Sequence, residues 1–215
     1  MIISSAYHTE RYRLTNLLAS YGIKGSVLSA FDNTPREFFV DKRYLAYAYE
    51  DRALPTLSGQ TISQPSLVAL TLQELALTPT DVVLEIGTGS GFQTALLSCL
   101  VKKVYSIERL PELAKIAQSR LHRLRNTVVT TGDGSLGWQE GAPYDAIIVT
   151  AAFTQVPDPL VAQLRTGGKL IMPIGKAESQ ELTLYKKHND GLVTLRKISD
   201  VCFVPLLGKH AYAAR

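Results

Sequence analysis

The sequence predicts an α/β protein: a doubly wound, mostly parallel sheet with an N-terminal helical segment and a C-terminal antiparallel hairpin. Three observations carry this expectation. From Val82 onward, short apolar runs alternate with helical patterns. The run ending at Ile86 passes directly into Gly87-Thr88-Gly89-Ser90-Gly91 and then into a helical stretch beginning at Phe92. Near the end, two alternating segments flank Asn189-Asp190-Gly191, a strong hairpin-turn signal.

Taken in order, residues 8–20 place Tyr12, Leu14, Leu17 and Leu18 at helical spacing and stop at Gly22, and residues 25–31 read as a second short helix. Thr34-Pro-Arg-Glu-Phe-Phe-Val40 and the aromatic-rich residues 44–49 read as an extended, partly buried connection. This segment lacks the means to form its own core. Residues 1–60 are therefore expected to pack on residues 61–215 within a single domain of 1–215. Pro65 is pre-set for a first helical position, with Ser63 or Gln64 placed to cap the free amides, and Val68, Leu72 and Leu75 share one face. Strands are then expected over 82–86, 103–107, 127–131, 144–150 and 168–173, with helices over 91–101, 110–124 and 158–165. Residues 181–187 and 192–199 supply the hairpin.

A chain of 215 residues and 23.6 kDa holds one α/β domain with a buried core and is too short for two. With 46% hydrophobic and 20% charged residues it reads as ordinary globular sequence, which excludes disorder. No stretch approaches the roughly 18 apolar residues of a membrane span, and Met1-Ile-Ile-Ser-Ser-Ala6 lacks the charged flank of a secretory signal, so a cytoplasmic protein without a membrane partner is expected. Cys99 and Cys202 lie in apolar surroundings without metal-spaced partners and read as buried free thiols. His8, His122, His188 and His210 are scattered, so no metal site is expected. The net charge of +4 is spread along the chain, with Lys102-Lys103 and Lys186-Lys187 the longest runs, and a nucleic-acid partner is not expected.

The glycine turn is the chemically informative feature. A dinucleotide fingerprint wants a glycine at 92, but Phe92 stands there and the third glycine arrives at Gly91. The turn offers close backbone approach at Gly87 and Gly89, free amides at a helix N-terminus for a ligand carboxylate, and the carboxylate of Glu85 for an ammonium or a network facing a cation. S-adenosylmethionine carries both groups. Glu108 follows the next strand at roughly 20 residues past Gly87, the distance at which a carboxylate faces a ligand ribose. Asp133, between Gly132 and Gly134 after a third strand, is placed to accept from an adenine amino group. A parallel sheet finished by an antiparallel hairpin is also the architecture of the S-adenosylmethionine-dependent methyltransferases, a Rossmann-like fold.

Longer blocks extend this. Leu54-Pro-Thr-Leu-Ser-Gly-Gln-Thr-Ile-Ser-Gln-Pro65, Val83-Leu-Glu-Ile-Gly-Thr-Gly-Ser-Gly-Phe-Gln-Thr-Ala95, Val104-Tyr-Ser-Ile-Glu-Arg109, Gly132-Asp-Gly134, Tyr144-Asp-Ala-Ile-Ile-Val-Thr-Ala-Ala152, Gln163-Leu-Arg-Thr-Gly-Gly-Lys-Leu170 and Phe203-Val-Pro-Leu206 together resemble protein-L-isoaspartate O-methyltransferases, in the same order from about Pro35 to Leu206. Gly59-Gln-Thr-Ile-Ser-Gln-Pro65 and Phe203-Val-Pro-Leu206 are the blocks specific to that family. Two positions depart from it: Leu57 stands where many members have glycine, and Phe92 where tyrosine is frequent.

The resemblance implies methylation, by S-adenosyl-L-methionine, of the free α-carboxyl of L-isoaspartyl residues in damaged proteins and peptides. The ester then recloses to a succinimide, and repeated cycles restore aspartate. It implies Ser63 as the catalytic serine, also in contact with substrate. It implies Thr61, Ile62, Ser63, Glu85, Gly87, Thr88, Gly89, Glu108, Arg109, Asp133 and Gly134 as donor contacts, and Val204, Pro205 and Leu206 as the strand that pairs with the substrate backbone. Read locally, Ser63 is a helix cap, and Val204 and Leu206 serve equally well as core residues. A monomer is expected. Two rival readings are a donor-binding adaptor without turnover and a methyltransferase for another acceptor such as RNA. Against the second, the fourth strand is followed by Val149-Thr-Ala-Ala-Phe153, without the Asn/Asp-Pro-Pro-aromatic run that pins an exocyclic amine.

Overall fold

A computed structural model describes residues 7–176 and 179–213. The chain runs through α1 (His8–Ser20) and α2 (Ser26–Asn33), two 3-10 turns (Arg36–Phe38 and Lys42–Tyr47), and a ribbon of β1 (Leu54–Pro55) and β2 (Thr61–Ile62). It continues through α3 (Pro65–Leu75), β3 (Val82–Ile86), α4 (Phe92–Ser98), β4 (Lys103–Glu108), α5 (Pro111–Leu121), β5 (Thr127–Thr131), β6 (Tyr144–Val149) and α6 (Asp158–Gln163). The last three elements are β7 (Leu164–Lys176), β8 (Ser179–His188) and β9 (Gly191–Val201).

The main sheet has the order β5-β4-β3-β6-β7-β8-β9. Pairing is parallel from β5 through β7 and antiparallel across β7, β8 and β9. This is the doubly wound sheet with a terminal hairpin that the sequence predicts. Strand order reverses at β3, because the chain goes outward through β4 and β5 and returns to β6 on β3's other side. Ligands of open α/β sheets bind outside the carboxyl ends of the strands at such a reversal.

Both faces of the sheet are covered, which explains why β3 and β6 are apolar on both faces apart from Glu85 and Asp145. Val83, Val104, Ala146 and Ile148 face a core shared with Leu18, Val27 and Phe31 of the N-terminal helices and Leu96 and Leu97 of α4. Leu84, Ile86, Ile147 and Val149 face a second core with Leu160, Leu164, Leu170 and Leu206. Phe92 joins the N-terminal segment to α4: its ring lies 5.8 Å from that of Phe31 and 5.6 Å from that of Phe39. A tyrosine hydroxyl there would need a partner inside an aromatic cluster.

Four local expectations are corrected. Residues 44–49 are not extended; Asp41 accepts the Arg43 amide and nucleates the 3-10 turn Lys42–Tyr47. The helix expected over 158–165 stops at Gln163, and Leu164 already pairs with Tyr144 in β7. Lys187 Nζ holds the freed carbonyls of Val161 and Leu164. Cys99 and Cys202 are free but exposed, one at the end of α4 and the other in the loop after β9. Neither Ser63 nor Gln64 caps α3 through its side chain.

Candidate active site

One cleft of about 1160 Å³ opens at the carboxyl ends of β3, β4 and β6. It exceeds the roughly 300–1,000 Å³ of ordinary small-molecule sites, which leaves room for a donor and part of an acceptor. Thr61, Ile62, Ser63, Gly87, Thr88, Gly89, Glu108, Arg109, Gly134, Val204, Pro205 and Leu206 all line it. Glu85 and Asp133 do not.

The glycine turn is shaped by its surroundings. Gly87 has φ of +93°, and a Cβ there would fall 2.1 Å from Thr150 Oγ1. Thr150 follows β6 and donates to the carbonyls of Ile86 and Gly87, both at 3.0 Å, so it locks the strand tip from the neighbouring strand. On the other side, Glu108 accepts the Gly89 amide at 2.8 Å and the Leu110 amide at 2.9 Å. These two bonds fix the carboxylate at the cleft wall, and an ionised carboxylate has lone pairs to spare for a pair of hydroxyls.

Glu85 has another place. It is fully buried beneath the turn, on the same strand face as Val83, and accepts from Thr94 Oγ1, Ser106 Oγ and Gln93 Nε2. Burial, with the nearby charge of Glu108, pushes its carboxyl up to about 7, against the three donors, which favour the ionised form. Ser106 in turn bonds Thr88 Oγ1 at 2.6 Å, so Glu85 braces the turn through two hydroxyls rather than facing a ligand ammonium. Asp133 likewise turns inward. Its Oδ1 accepts from the amide and hydroxyl of Ser135 and its Oδ2 from the Lys209 amide at 2.7 Å. Burial opposes ionisation, but these bonds outweigh it and hold the carboxyl below its ordinary range. Asp133 therefore fastens the 208–210 turn behind Gly134, and only Gly134 reaches the cleft.

Ser63 follows β2 and immediately precedes α3. Its carbonyl accepts from Arg36 Nη2 at 3.0 Å, and its hydroxyl has no partner among the described residues. The first turn of α3 is capped from afar: Asp51 Oδ1 accepts the Ser66 amide at 2.8 Å and Oδ2 accepts Gln64 Nε2 at 3.1 Å. In the β1–β2 turn, the positive-φ residues are Ser58 and Gly59, not Leu57, so the leucine there meets no backbone restriction.

The segment after β9 corrects one detail of the expected pairing strand. Ala152 binds the Val204 carbonyl at 2.8 Å and the Leu206 amide at 2.7 Å, and the Leu206 carbonyl accepts from Tyr212. The Val204 carbonyl and both polar backbone groups of Leu206 are therefore engaged inside the protein. Backbone groups alternate edges along an extended chain, so the opposite edge belongs to Phe203, Pro205 and Leu207. There Gln180 engages both polar groups of Phe203, at 2.7 and 3.0 Å. The Pro205 carbonyl and Leu207 amide are unpartnered among the described residues.

Sequence reasoning missed Thr150, Asp51, Arg36 and Gln180. Thr150 had a signal, its position just past the strand beside the reversal point; the other three act across the chain.

A family profile described as protein-L-isoaspartate(D-aspartate) O-methyltransferase matches residues 10–211. The chain belongs to the protein-L-isoaspartate O-methyltransferase family. A relative from Nitrosococcus oceani carrying that family name, with the suffix 2, is 47% identical over 86% of this chain and 85% of its own length. A solved protein-L-isoaspartate O-methyltransferase matches with a TM-score of 0.86 at 34% identity, covering 94% of this chain and 67% of that one. A Plasmodium falciparum structure described as a family member in complex with S-adenosyl-L-homocysteine matches with a TM-score of 0.79 at 25% identity, over 91% of this chain and 97% of that one. Among the described residues, no helix is long and apolar enough to cross a membrane.

Proposed function

We propose that this protein is a protein-L-isoaspartate O-methyltransferase that methylates the free α-carboxyl of L-isoaspartyl residues in damaged proteins and peptides and so starts their return to aspartate through a succinimide. One observation carries the reading: the Ser63 hydroxyl, left without an internal partner, shares a cleft with the glycine turn and with Glu108.

S-adenosyl-L-methionine would supply an electrophilic methyl group when bound. The residues present fit it. Gly87 lets Thr150 close the turn from behind, Gly89 faces open space where a Cβ would meet no protein atom, and the amides at the start of α4 suit the donor's carboxylate. Glu108, held by two backbone amides, suits the ribose hydroxyls, with Arg109 beside it. Gly134, whose missing Cβ lets Ile86 pack against it, lines the cleft with Ile86 where the adenine ring would lie, with Asp133 acting behind it. Thr61 and Ile62 close the cleft on the acceptor side.

The acceptor carboxylate is already ionised at neutral pH, so no strong general base is required. What the site must do is hold the carboxylate in line and exclude water, and alignment of this kind is worth on the order of 7–11 kcal/mol. Ser63 donates a hydrogen bond to one carboxylate oxygen and leaves the other free to attack. The Pro205 carbonyl and Leu207 amide offer the acceptor's backbone an edge to pair with, which recognises a chain rather than a particular sequence. Residues 1–60 and 61–215 act as one domain in this reading, supported by the core that Leu18 and Phe31 share with Leu96.

The test is methyl transfer from labelled donor to an isoaspartyl peptide and to its aspartyl twin. Labelling of the first alone is expected; equal labelling of both would overturn the assignment.

A further inference from the structure

We propose that Asp51 and Arg36 are positioning residues that keep the Ser63 hydroxyl turned to the cleft by denying it the capping role its sequence position invites. The inference deepens the reading above and rests on Ser63 presenting the acceptor carboxylate.

Ser63 and Ser66 stand three residues apart, the spacing of an N-cap hydroxyl and the amide it takes, with Ser63 one residue ahead of Gln64, which holds the N-cap position of α3 without a side-chain cap. The chain does not use the Ser63 pairing. Asp51, 15 residues upstream of Ser66, accepts that amide at 2.8 Å, and its second oxygen takes the Gln64 carboxamide at 3.1 Å. A single carboxylate thus satisfies the helix end and fixes the residue that links it to Ser63. Unpaired helix amides take the nearest available oxygen. With Asp51 removed, Ser63 Oγ is the hydroxyl at capping spacing from Ser66, and it would rotate from the cleft toward α3.

Arg36 holds the other side of the same arrangement. It is 1% exposed, and its Nη1 donates to the Ala48 carbonyl at 2.6 Å while Nη2 donates to the carbonyls of Arg52 at 3.3 Å and Ser63 at 3.0 Å. Ala48 and Arg52 bracket Asp51, so one guanidinium clamps the segment bearing Asp51 against the segment bearing Ser63. A lysine, a point donor rather than a planar fork, would not span these carbonyls. The segment that carries Ser63 is held by the two-residue ribbon of β1 and β2, by the buried side chains of Leu54 and Ile62, and by these polar side chains, which set its aim.

The test is a double-mutant cycle on the full chain, read with the isoaspartyl peptide and with S-adenosylhomocysteine titration. Asp51→Ala is expected to lower kcat/KM by roughly tenfold to a hundredfold, the cost of misplacing a reacting group by about 1 Å, with S-adenosylhomocysteine affinity unchanged. Asp51→Asn keeps an acceptor for Ser66 and is expected to recover most of the rate. In a Ser63→Ala background, Asp51→Ala should cause no further loss, because the hydroxyl it aims is gone. An equal loss in both backgrounds, or a normal rate per folded Asp51→Ala molecule, would overturn the proposal. Should Asp51→Ala fail to fold, Asp51→Glu, which keeps the charge but displaces it from the Ser66 amide, is read in the same cycle. An active wild type with an indifferent Asp51 refutes this inference alone; a wild type inert toward isoaspartyl peptide refutes the underlying function.

Discussion

Glu108 Oε2 accepts the Gly89 amide at 2.8 Å, so the carboxylate at the tip of β4 and the turn at the tip of β3 hold one another in place. The contact couples two parts of the donor site that the sequence shows only as separate motifs. Replacing Glu108 by alanine removes a charged acceptor from the turn and, on the proposed reading, from the ribose. S-adenosylhomocysteine binding is then expected to weaken by roughly 1.5–3 kcal/mol, the range for hydrogen bonds to a charged group. Calorimetric titration of Glu108→Ala against wild type checks this, and unchanged affinity would remove Glu108 from the donor site.

Gly87 is constrained twice over. Its φ of +93° disfavours any side chain, and its missing Cβ is the space that Thr150 Oγ1 occupies. Gly87→Ala is expected to destabilise the fold by more than the 1–2 kcal/mol that a left-handed alanine alone costs, since Thr150 must also give up its two carbonyls. Pairing Gly87→Ala with Thr150→Ala should relieve the clash but not the strain, recovering only part of the stability in denaturant titrations. Full recovery would mean that the backbone conformation is not the constraint.

The sheet was legible in the sequence because its signals are periodic or local: apolar runs at β3 and β6, Pro65 and Pro111 at helix starts, Asn189-Asp190-Gly191 between β8 and β9. The site was legible only in part. Glu85 and Glu108 are both acidic residues near a strand end, yet the second faces the cleft and the first lies under α4, because Glu85 shares its strand face with Val83, whose side is the core. Asp133 looked free because nothing local marks residues 208–210 as its partners. Asp51, Arg36 and Gln180 act through side-chain bonds to backbone between 12 and 27 residues away, and such contacts leave no repeat or motif. The apolar neighbours of Cys99 and Cys202 in sequence belong to other faces, so the thiols end at the surface.

Glu85 also makes stability depend on pH. Its folded carboxyl lies near 7 against an ordinary 4.5, so the native state binds a proton more tightly than the unfolded chain. Below about 4.5 the group favours neither state; as pH rises to 7 the unfolded chain ionises first and the fold loses stability, and above 7 the loss is complete. A shift of this size corresponds to about 3 kcal/mol as an upper bound. Urea denaturation between pH 5 and 8 should show this decline in wild type and lose it in Glu85→Gln. An identical slope in both proteins would show that burial of Glu85 does not govern it.

Gln180 is the residue on which acceptor binding should depend without any contact to the reacting atoms. It is 5% exposed, and its carboxamide reproduces a peptide partner for Phe203, accepting the amide and donating to the carbonyl. Gln180→Leu preserves volume and leaves both backbone groups of Phe203 unsatisfied, at a cost of about 1–3 kcal/mol each if they stay buried. The segment can avoid that cost only by moving toward water, which displaces the Pro205 carbonyl and Leu207 amide proposed above to pair with the acceptor. KM for an isoaspartyl peptide is therefore expected to rise by roughly tenfold, the equivalent of 1.4 kcal/mol, while S-adenosylhomocysteine affinity holds. Gln180→Glu keeps the acceptor for the Phe203 amide and should fall between the two. If Gln180→Leu lowers thermal stability with KM unchanged, the edge at Pro205 and Leu207 is not where the acceptor backbone binds.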